Sequence, residues 1–130
     1  MKRNIERKII IGLITQDDFI KQVYLELKSE YFISDTAKIL WEWCRDYFSE
    51  FQKSPGVHIE NIFFEKVRSK TIPDTLAEEL EQNILPGLSE EYEKENVNIK
   101  LLVKQTRRYV KERKLQILKD ELEVLIDKGE

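Results

Sequence analysis

The chain has 130 residues, of which 36% are charged and 41% hydrophobic, and its formal net charge is -3. This balance is too apolar for a disordered chain, no run approaches the roughly twenty apolar residues of a membrane span, and the length suits one domain with a single core. The lone cysteine, Cys44, excludes an internal disulfide, and together with the lack of a secretory signal it predicts a cytoplasmic protein.

Helical periodicity runs along the whole sequence and predicts an all-α fold. Ile5, Ile9 and Leu13 recur at three-to-four spacing in a first helix that we expect to be largely buried. Thr15 is expected to cap a second helix. The apolar side of that second helix carries Phe19, Ile20, Val23, Tyr24 and Leu27.

The third helix is the predicted centre of the core. It extends from about Thr36 to Phe51, after a cap at Ser34 or Asp35, and its apolar residues cover an arc of about 200°. An arc of that width contacts neighbours on two sides. Trp41 lies at the edge of the arc, where we interpret it as a core residue rather than a binding residue.

Two shorter helices complete the predicted globule, which is an orthogonal bundle of about five to six helices over residues 1–97. The turn at residues 53–56 precedes a helix in which Phe64 falls outside the apolar stripe. The next helix begins near Pro73 and ends at Pro86-Gly87. Ser89 is expected to cap a short acidic turn after it.

The last segment, residues 98–130, is predicted to be one long helix, because Asn98 to Lys128 contains neither Pro nor Gly. Its first half has a broad apolar face, formed by Ile99, Leu102, Val103, Thr106, Tyr109 and Val110. Its second half has a narrow seam of the kind that pairs helices in coiled coils, formed by Leu115, Leu118, Leu122 and Leu125. These two stripes do not share one seven-residue register.

We therefore expect the first half to lie on the globule and the second half to project. The leucines are the predicted self-association residues, which pair either with a second copy of the chain or with a following helix. The alternative is that the whole helix folds back over the core.

Charge is segregated along the chain. Residues 78–95 contain seven acids and one base, whereas residues 100–114 contain seven bases and one acid. The candidate nucleic-acid contacts in the basic block are Lys104, Arg107, Arg108 and Lys111. Because the chain is acidic overall and the block has few aromatics, a solvated helix face is the favoured interpretation, with weak or no direct nucleic-acid binding.

The residues of most catalytic sites are missing. One histidine, His58, and one cysteine cannot supply the usual zinc site. The four glycines lie more than thirty residues apart, which excludes phosphate-binding loops. Paired acids such as Glu78 and Glu79 fall on open helix surface, where nothing would desolvate a carboxyl group for acid catalysis. We predict no enzyme activity within this chain, no metal and no cofactor.

A family resemblance rests on groups of residues spread over most of the chain. The first helix carries Glu6, Ile9, Ile10, Gly12 and Leu13, and the second carries Asp17 or Asp18, Phe19, Val23 and Leu27. Glu30-Tyr31-Phe32, Ile39-Leu40, Pro55, Asn98-Ile99 and Val110-Lys111-Glu112-Arg113 complete the pattern. In these positions the chain resembles the N-terminal domain of DnaB-type replicative DNA helicases. Thr36 and Gly56-Val57-His58 depart from the family pattern and are typical of a divergent member, such as one from a phage or mobile element.

The resemblance implies a helical globule followed by one leg of a helical hairpin. It also implies a fragment of a larger protein, in which an ATPase domain downstream makes the whole an ATP-dependent DNA helicase. The domain itself would be non-catalytic, pairing subunits in a homodimer or hexamer and docking primase or a helicase loader. Two alternatives are the helicase-binding domain of a primase and a stand-alone nucleic-acid-binding or helicase-loader protein.

Overall fold

The computed structural model describes residues 2–84 and 98–129, and every regular element within them is helical. The α-helices are α1 (Lys2–Thr15), α2 (Asp17–Val23), α3 (Asp35–Phe51), α4 (His58–Arg68), α5 (Asp74–Glu79) and α6 (Ile99–Lys128). Short 3-10 turns occupy Tyr24–Glu26 and Ser29–Tyr31, and a π-helical turn occupies Leu80–Ile84. The all-α prediction is confirmed. The predicted helix end at Pro86-Gly87 and the acidic turn after Ser89 lie outside the described residues.

From Ile5 onward helix α1 is largely buried, as its periodicity predicts. Ile9, Leu13 and Ile14 are inaccessible to solvent, and the helix packs against α2, α3 and α6. The prediction that Thr15 caps α2 is wrong. Thr15 is the last residue of α1, and its hydroxyl donates a hydrogen bond to the Ile11 carbonyl at 2.7 Å. A threonine that bonds back to its own helix is not available to cap the next one.

Gly12 marks the closest approach between α1 and its neighbours. A Cβ atom at this position would lie 2.6 Å from Cδ2 of Leu102 on α6 and 2.8 Å from Cδ2 of Phe19 on α2. Both distances are well inside van der Waals contact. The absence of a side chain therefore allows α6 and α2 to pack directly on the α1 backbone.

Helix α3 occupies the centre of the globule and contacts α1, α4 and α5. It is capped as predicted by Ser34, whose hydroxyl accepts a hydrogen bond from the Ala37 amide at 3.3 Å. Trp41 is buried, which confirms the core interpretation. Phe51 is half exposed at the end of the helix, where its ring packs on Tyr47 with centroids 4.6 Å apart.

Helix α6 is anchored at one end and projects at the other. It begins after Asn98, whose side chain accepts a hydrogen bond from the Leu101 amide at 3.0 Å. Five residues of its first half are buried against α1, α2 and the Ser29–Tyr31 turn, namely Leu102, Val103, Thr106, Tyr109 and Val110. Every residue from Leu118 to Gly129 is exposed. Thirty residues make this helix about 45 Å long.

Candidate docking surface on the terminal helix

A buried carboxylate fixes α6 to the globule. Glu6 of α1 is only 2% exposed. Its carboxylate accepts hydrogen bonds from the Ile33 amide at 2.6 Å, from the Ser34 amide at 3.1 Å and from the Tyr109 hydroxyl. A charge in the core is tolerated only when such donors replace water. Because these donors lie before α3 and on α6, the carboxylate ties three parts of the fold together.

A second group of contacts surrounds Tyr31, beside that carboxylate. The Tyr31 carbonyl accepts a hydrogen bond from Nε of Arg113 at 2.8 Å and lies 3.1 Å from the Tyr109 hydroxyl. The ammonium group of Lys114 lies 5.7 Å from the centre of the Tyr31 ring. Burial, and then the hydrogen bond to Glu6, raise the pKa of the Tyr109 phenol. These contacts hold α6 in one orientation and thereby fix the direction of its projecting half.

The leucine seam, defined as Leu115, Leu118, Leu122 and Leu125, is exposed along its length. Its members retain 60%, 51%, 49% and 64% of their accessible surface, in that order. Because successive helical residues are rotated by about 100°, the seam lies roughly 100–180° around the axis from Thr106, the centre of the buried face. The seam therefore faces away from the side that packs on the globule. This arrangement excludes the alternative in which the whole helix folds back over the core.

The seven-residue register of the seam continues toward the start of α6. Stepping back by fours and threes from Leu115 reaches Lys111, Arg108, Lys104 and Leu101, all of which are exposed. We call these eight positions, Leu101, Lys104, Arg108, Lys111 and the leucine seam, the heptad stripe. Three of the four upstream positions are charged, so the spacing of hydrophobic residues alone does not indicate this half of the stripe. The sequence feature that indicates the upstream half is the alternation of three- and four-residue steps, which continues without a break from the leucine seam back to Leu101.

The four candidate nucleic-acid contacts lie together on the exposed side of α6, but two of them have protein partners. Nε of Arg107 lies 3.0 Å from Oε1 of Glu26, and this contact and charge raise the pKa of the guanidinium. Arg108 lies 3.4 Å from Glu112, one helical turn away. Lys104 and Lys111 are exposed on the same side. The structure thus places the predicted cations on the heptad stripe or at its edge.

A groove runs between this side of α6 and the preceding turns. It has a volume of about 390 Å³ and is bordered by Lys28, Lys111, Lys114 and the Arg107–Glu26 pair. Leu25 stands at its rim and is 90% exposed. The groove extends the basic part of the heptad stripe sideways onto the globule.

A cavity of about 450 Å³ lies beside Glu6, between α1 and the start of α3. The carboxylate that borders it already accepts the three hydrogen bonds described above, so its role there is structural. Within residues 2–84 and 98–129, no group of three His, Cys, Asp or Glu side chains is arranged to hold a metal ion. None of the helices in this part of the chain combines the length and hydropathy of a membrane span.

Comparison with protein-family models, with characterised proteins and with solved structures finds no match for this chain. The functional assignment therefore rests on the surface of α6 and on the sequence pattern.

Proposed function

We propose that this chain is a non-catalytic assembly and docking domain of a hexameric replicative DNA helicase. The observation that carries the docking role is the leucine seam, presented on a rigidly anchored helix that extends beyond the globule. The helicase setting is supported by the pattern that begins with Glu6, Ile9 and Gly12 and resembles the N-terminal domain of DnaB-type helicases.

Docking is favourable because it removes the apolar surface of the leucine seam from water. Each leucine keeps about half or more of its surface exposed, and burying a leucine completely is worth about 1.5–3 kcal/mol. Four such residues in one narrow stripe form the knobs of a helix–helix interface. The seam accordingly supports helix pairing, either between subunits or with a docked protein such as a primase or loader.

Sedimentation equilibrium at increasing protein concentration tests the assembly role. We expect the wild-type chain to self-associate and the Leu118→Glu/Leu122→Glu variant to remain monomeric, because a charged seam cannot be buried. Val124→Glu is the matched control, since Val124 is 51% exposed on the same segment but lies on the other side of the helix. A strictly monomeric wild type would contradict self-association through the seam. A dimer that persists in the double variant would place the interface elsewhere.

The closest alternative is the helicase-binding domain of a primase, which shares the long terminal helices by resemblance. The neighbouring coding sequence separates the two proposals. A phosphate-binding loop encoded downstream supports the helicase, whereas a polymerase domain encoded upstream supports the primase.

A second candidate function is nucleic-acid binding by a stand-alone or loader protein, favoured by the cations that share one side of α6. In that case affinity for single-stranded DNA falls steeply with salt, and the Lys104→Gln/Lys111→Gln variant lowers the slope by about one to two. Fluorescence anisotropy with a labelled oligonucleotide measures both quantities. Absence of binding at low salt removes this candidate.

A further inference from the structure

We propose that the heptad stripe is the binding site for an amphipathic helix of another protein, with acidic residues facing Lys104, Arg108 and Lys111 and apolar residues facing the leucine seam. The inference rests on the proposed docking function and specifies the chemistry of the docked partner.

The heptad stripe is long enough to pair with another helix, whereas the leucine seam alone is short. The leucine seam alone spans ten residue steps, or about 15 Å of helix, which is short for a stable helix pair. The whole stripe from Leu101 to Leu125 spans about 36 Å on the same estimate of 1.5 Å per residue. All of its positions are exposed and in one register. A partner that follows the leucines upstream is therefore brought directly onto the three cations.

A second copy of the chain in parallel orientation does not fit this stripe. In a parallel pair, residues at equivalent positions face each other across the interface. Lys104, Arg108 and Lys111 would each meet their own copy at the centre of the interface. Like charges that face each other across a helix pair oppose pairing, and burial removes the water that screens their repulsion.

An antiparallel second copy fits only in part. Leu115 would face Leu125 of the other copy and Leu118 would face Leu122, so the leucines match. Beside them, however, like charges would meet. On one flank Lys119 would face Lys119 of the other copy, and on the opposite flank Glu121 would face Glu121 of the other copy. The three cations of the stripe would lie beyond the paired leucines. Self-pairing of this kind buries the seam and places no described residue of the second copy opposite Lys104 or Arg108.

An acidic amphipathic helix satisfies both halves of the stripe at once. Its carboxylates would meet Lys104, Arg108 and Lys111, and the neighbouring Lys114 adds positive charge at the edge of the groove. Its apolar residues would cover the leucines. A nucleic acid offers phosphates to the cations but nothing that buries four leucines, so the continuous stripe favours a helix.

Binding of designed peptides tests the inference. The probe is a labelled helical peptide of about 28 residues, or four heptads, with leucine opposite the seam and glutamate opposite the three cations. A sister peptide has glutamine in place of those glutamates. By fluorescence anisotropy at low salt, we expect the glutamate peptide to bind the wild-type chain about tenfold more tightly than the glutamine peptide.

The charge-reversed variant Lys104→Glu/Arg108→Glu/Lys111→Glu should lose this preference. Circular dichroism verifies its fold, which we expect to be intact because all three residues are exposed. Lys21→Glu/Lys53→Glu/Arg68→Glu is the matched control, since it reverses two lysines and one arginine that are exposed elsewhere. This control should retain the preference for the glutamate peptide.

Three results would overturn the inference: equal affinities for the two peptides, a wild-type dimer that the glutamate peptide does not dissociate, or tighter competing binding of a single-stranded oligonucleotide. None of these results changes what the sedimentation experiment shows, so failure of the inference can be distinguished from failure of the proposed function. Conversely, a monomeric wild type that binds the glutamate peptide preferentially would contradict assembly through the seam and support the inference.

Discussion

At the scale of single residues, Glu6 joins α6 to the rest of the globule. Each of its three neighbours, the amides of Ile33 and Ser34 and the hydroxyl of Tyr109, offers a proton. A carboxylate accepts from all three at once, whereas an uncharged amide side chain has only one acceptor oxygen. The site therefore requires an ionised acid of this shape, although it lies in the core.

We predict that Tyr109→Phe lowers the free energy of unfolding by about 1.5–3 kcal/mol, because it removes a hydrogen bond to a buried charge. Glu6→Gln should cost at least as much, since its NH₂ group would face other donors. Urea unfolding followed by circular dichroism measures both. Tyr47→Phe serves as the control with an expected change within about 0.5 kcal/mol, and equal losses for Tyr47→Phe and Tyr109→Phe would contradict the role of the Glu6 contact.

Because of the Tyr109 phenol, we also predict that the free energy of unfolding depends on pH in the alkaline range. Its folded-state pKa is raised by burial and by the contact with Glu6. In the unfolded chain a tyrosine ionises near pH 10. Stability from the neutral phenol is therefore fully present below about pH 10 and is lost progressively above it, because only the unfolded state then releases the proton.

Between about pH 8 and pH 11, the wild-type chain should thus lose more free energy of unfolding than Tyr109→Phe does. Denaturant titrations of both proteins at the two pH values provide the comparison. The buried thiol of Cys44, whose pKa is also raised by burial, is present in both proteins and cancels in the difference. Parallel pH profiles would show that the phenol does not contribute.

At the scale of secondary-structure elements, the packing of α1 against α6 decides how the terminal helix leaves the globule. The two helices meet at Gly12, where the Leu102 side chain occupies the space that a Cβ would need. Farther along, Tyr109 and Arg113 of α6 bond to Glu6 and to the Tyr31 carbonyl. Close contact at one point and hydrogen bonds at the others fix both the distance and the rotation of α6.

We predict that Gly12→Val lowers the free energy of unfolding by about 1–3 kcal/mol or more, because the added methyl groups would overlap Leu102 and Phe19. Thermal and urea unfolding both report the change. Lys8→Val introduces the same residue at an exposed position of α1 and should cost only the helix-propensity difference, a few tenths of a kcal/mol. Similar losses for the two variants would mean that α6 moves aside without cost.

At the scale of the whole molecule, α6 has a first half packed on the globule and a second half exposed to solvent. The buried residues of α6 end with Val110, apart from the half-buried Arg113, Gln116 and Ile117, and every residue from Leu118 to Gly129 is exposed to solvent. The projecting segment therefore contributes no buried residue to the core of the globule. The seam is available for a partner because no described part of the chain covers it.

It follows that Leu118→Glu/Leu122→Glu should leave the free energy of unfolding of the monomer within about 0.5 kcal/mol of the wild-type value, as for most exposed substitutions. Unfolding at low protein concentration, where association is negligible, is the measurement. Val103→Ala, in the buried half of α6, should in contrast destabilise by about 1–3 kcal/mol. A large loss in the leucine variant would show that the seam packs within the monomer.

The sequence by itself determined the helical elements and the two faces of α6. Three-to-four spacing of Ile5, Ile9 and Leu13 is a local property, and it identified a buried helix without knowledge of its neighbours. The narrow spacing of the leucine seam likewise predicted a helix-pairing surface, and the structure leaves that seam exposed. Periodicity records which side of a helix is apolar, and for Leu102 to Val110 that side is the buried one.

Only the tertiary structure decided which polar residues belong to the core and which side of α6 remains open. Glu6 and Tyr109 are 103 residues apart in the chain, so no local pattern indicates that they share a hydrogen bond. The sequence indicates only that Arg107 is a cation on the surface of α6, and its ion pair with Glu26 follows from the fold. Local spacing aligns the leucines and the three cations along one side of α6, whereas contact between distant residues depends on how the helices pack, and that packing leaves this side exposed.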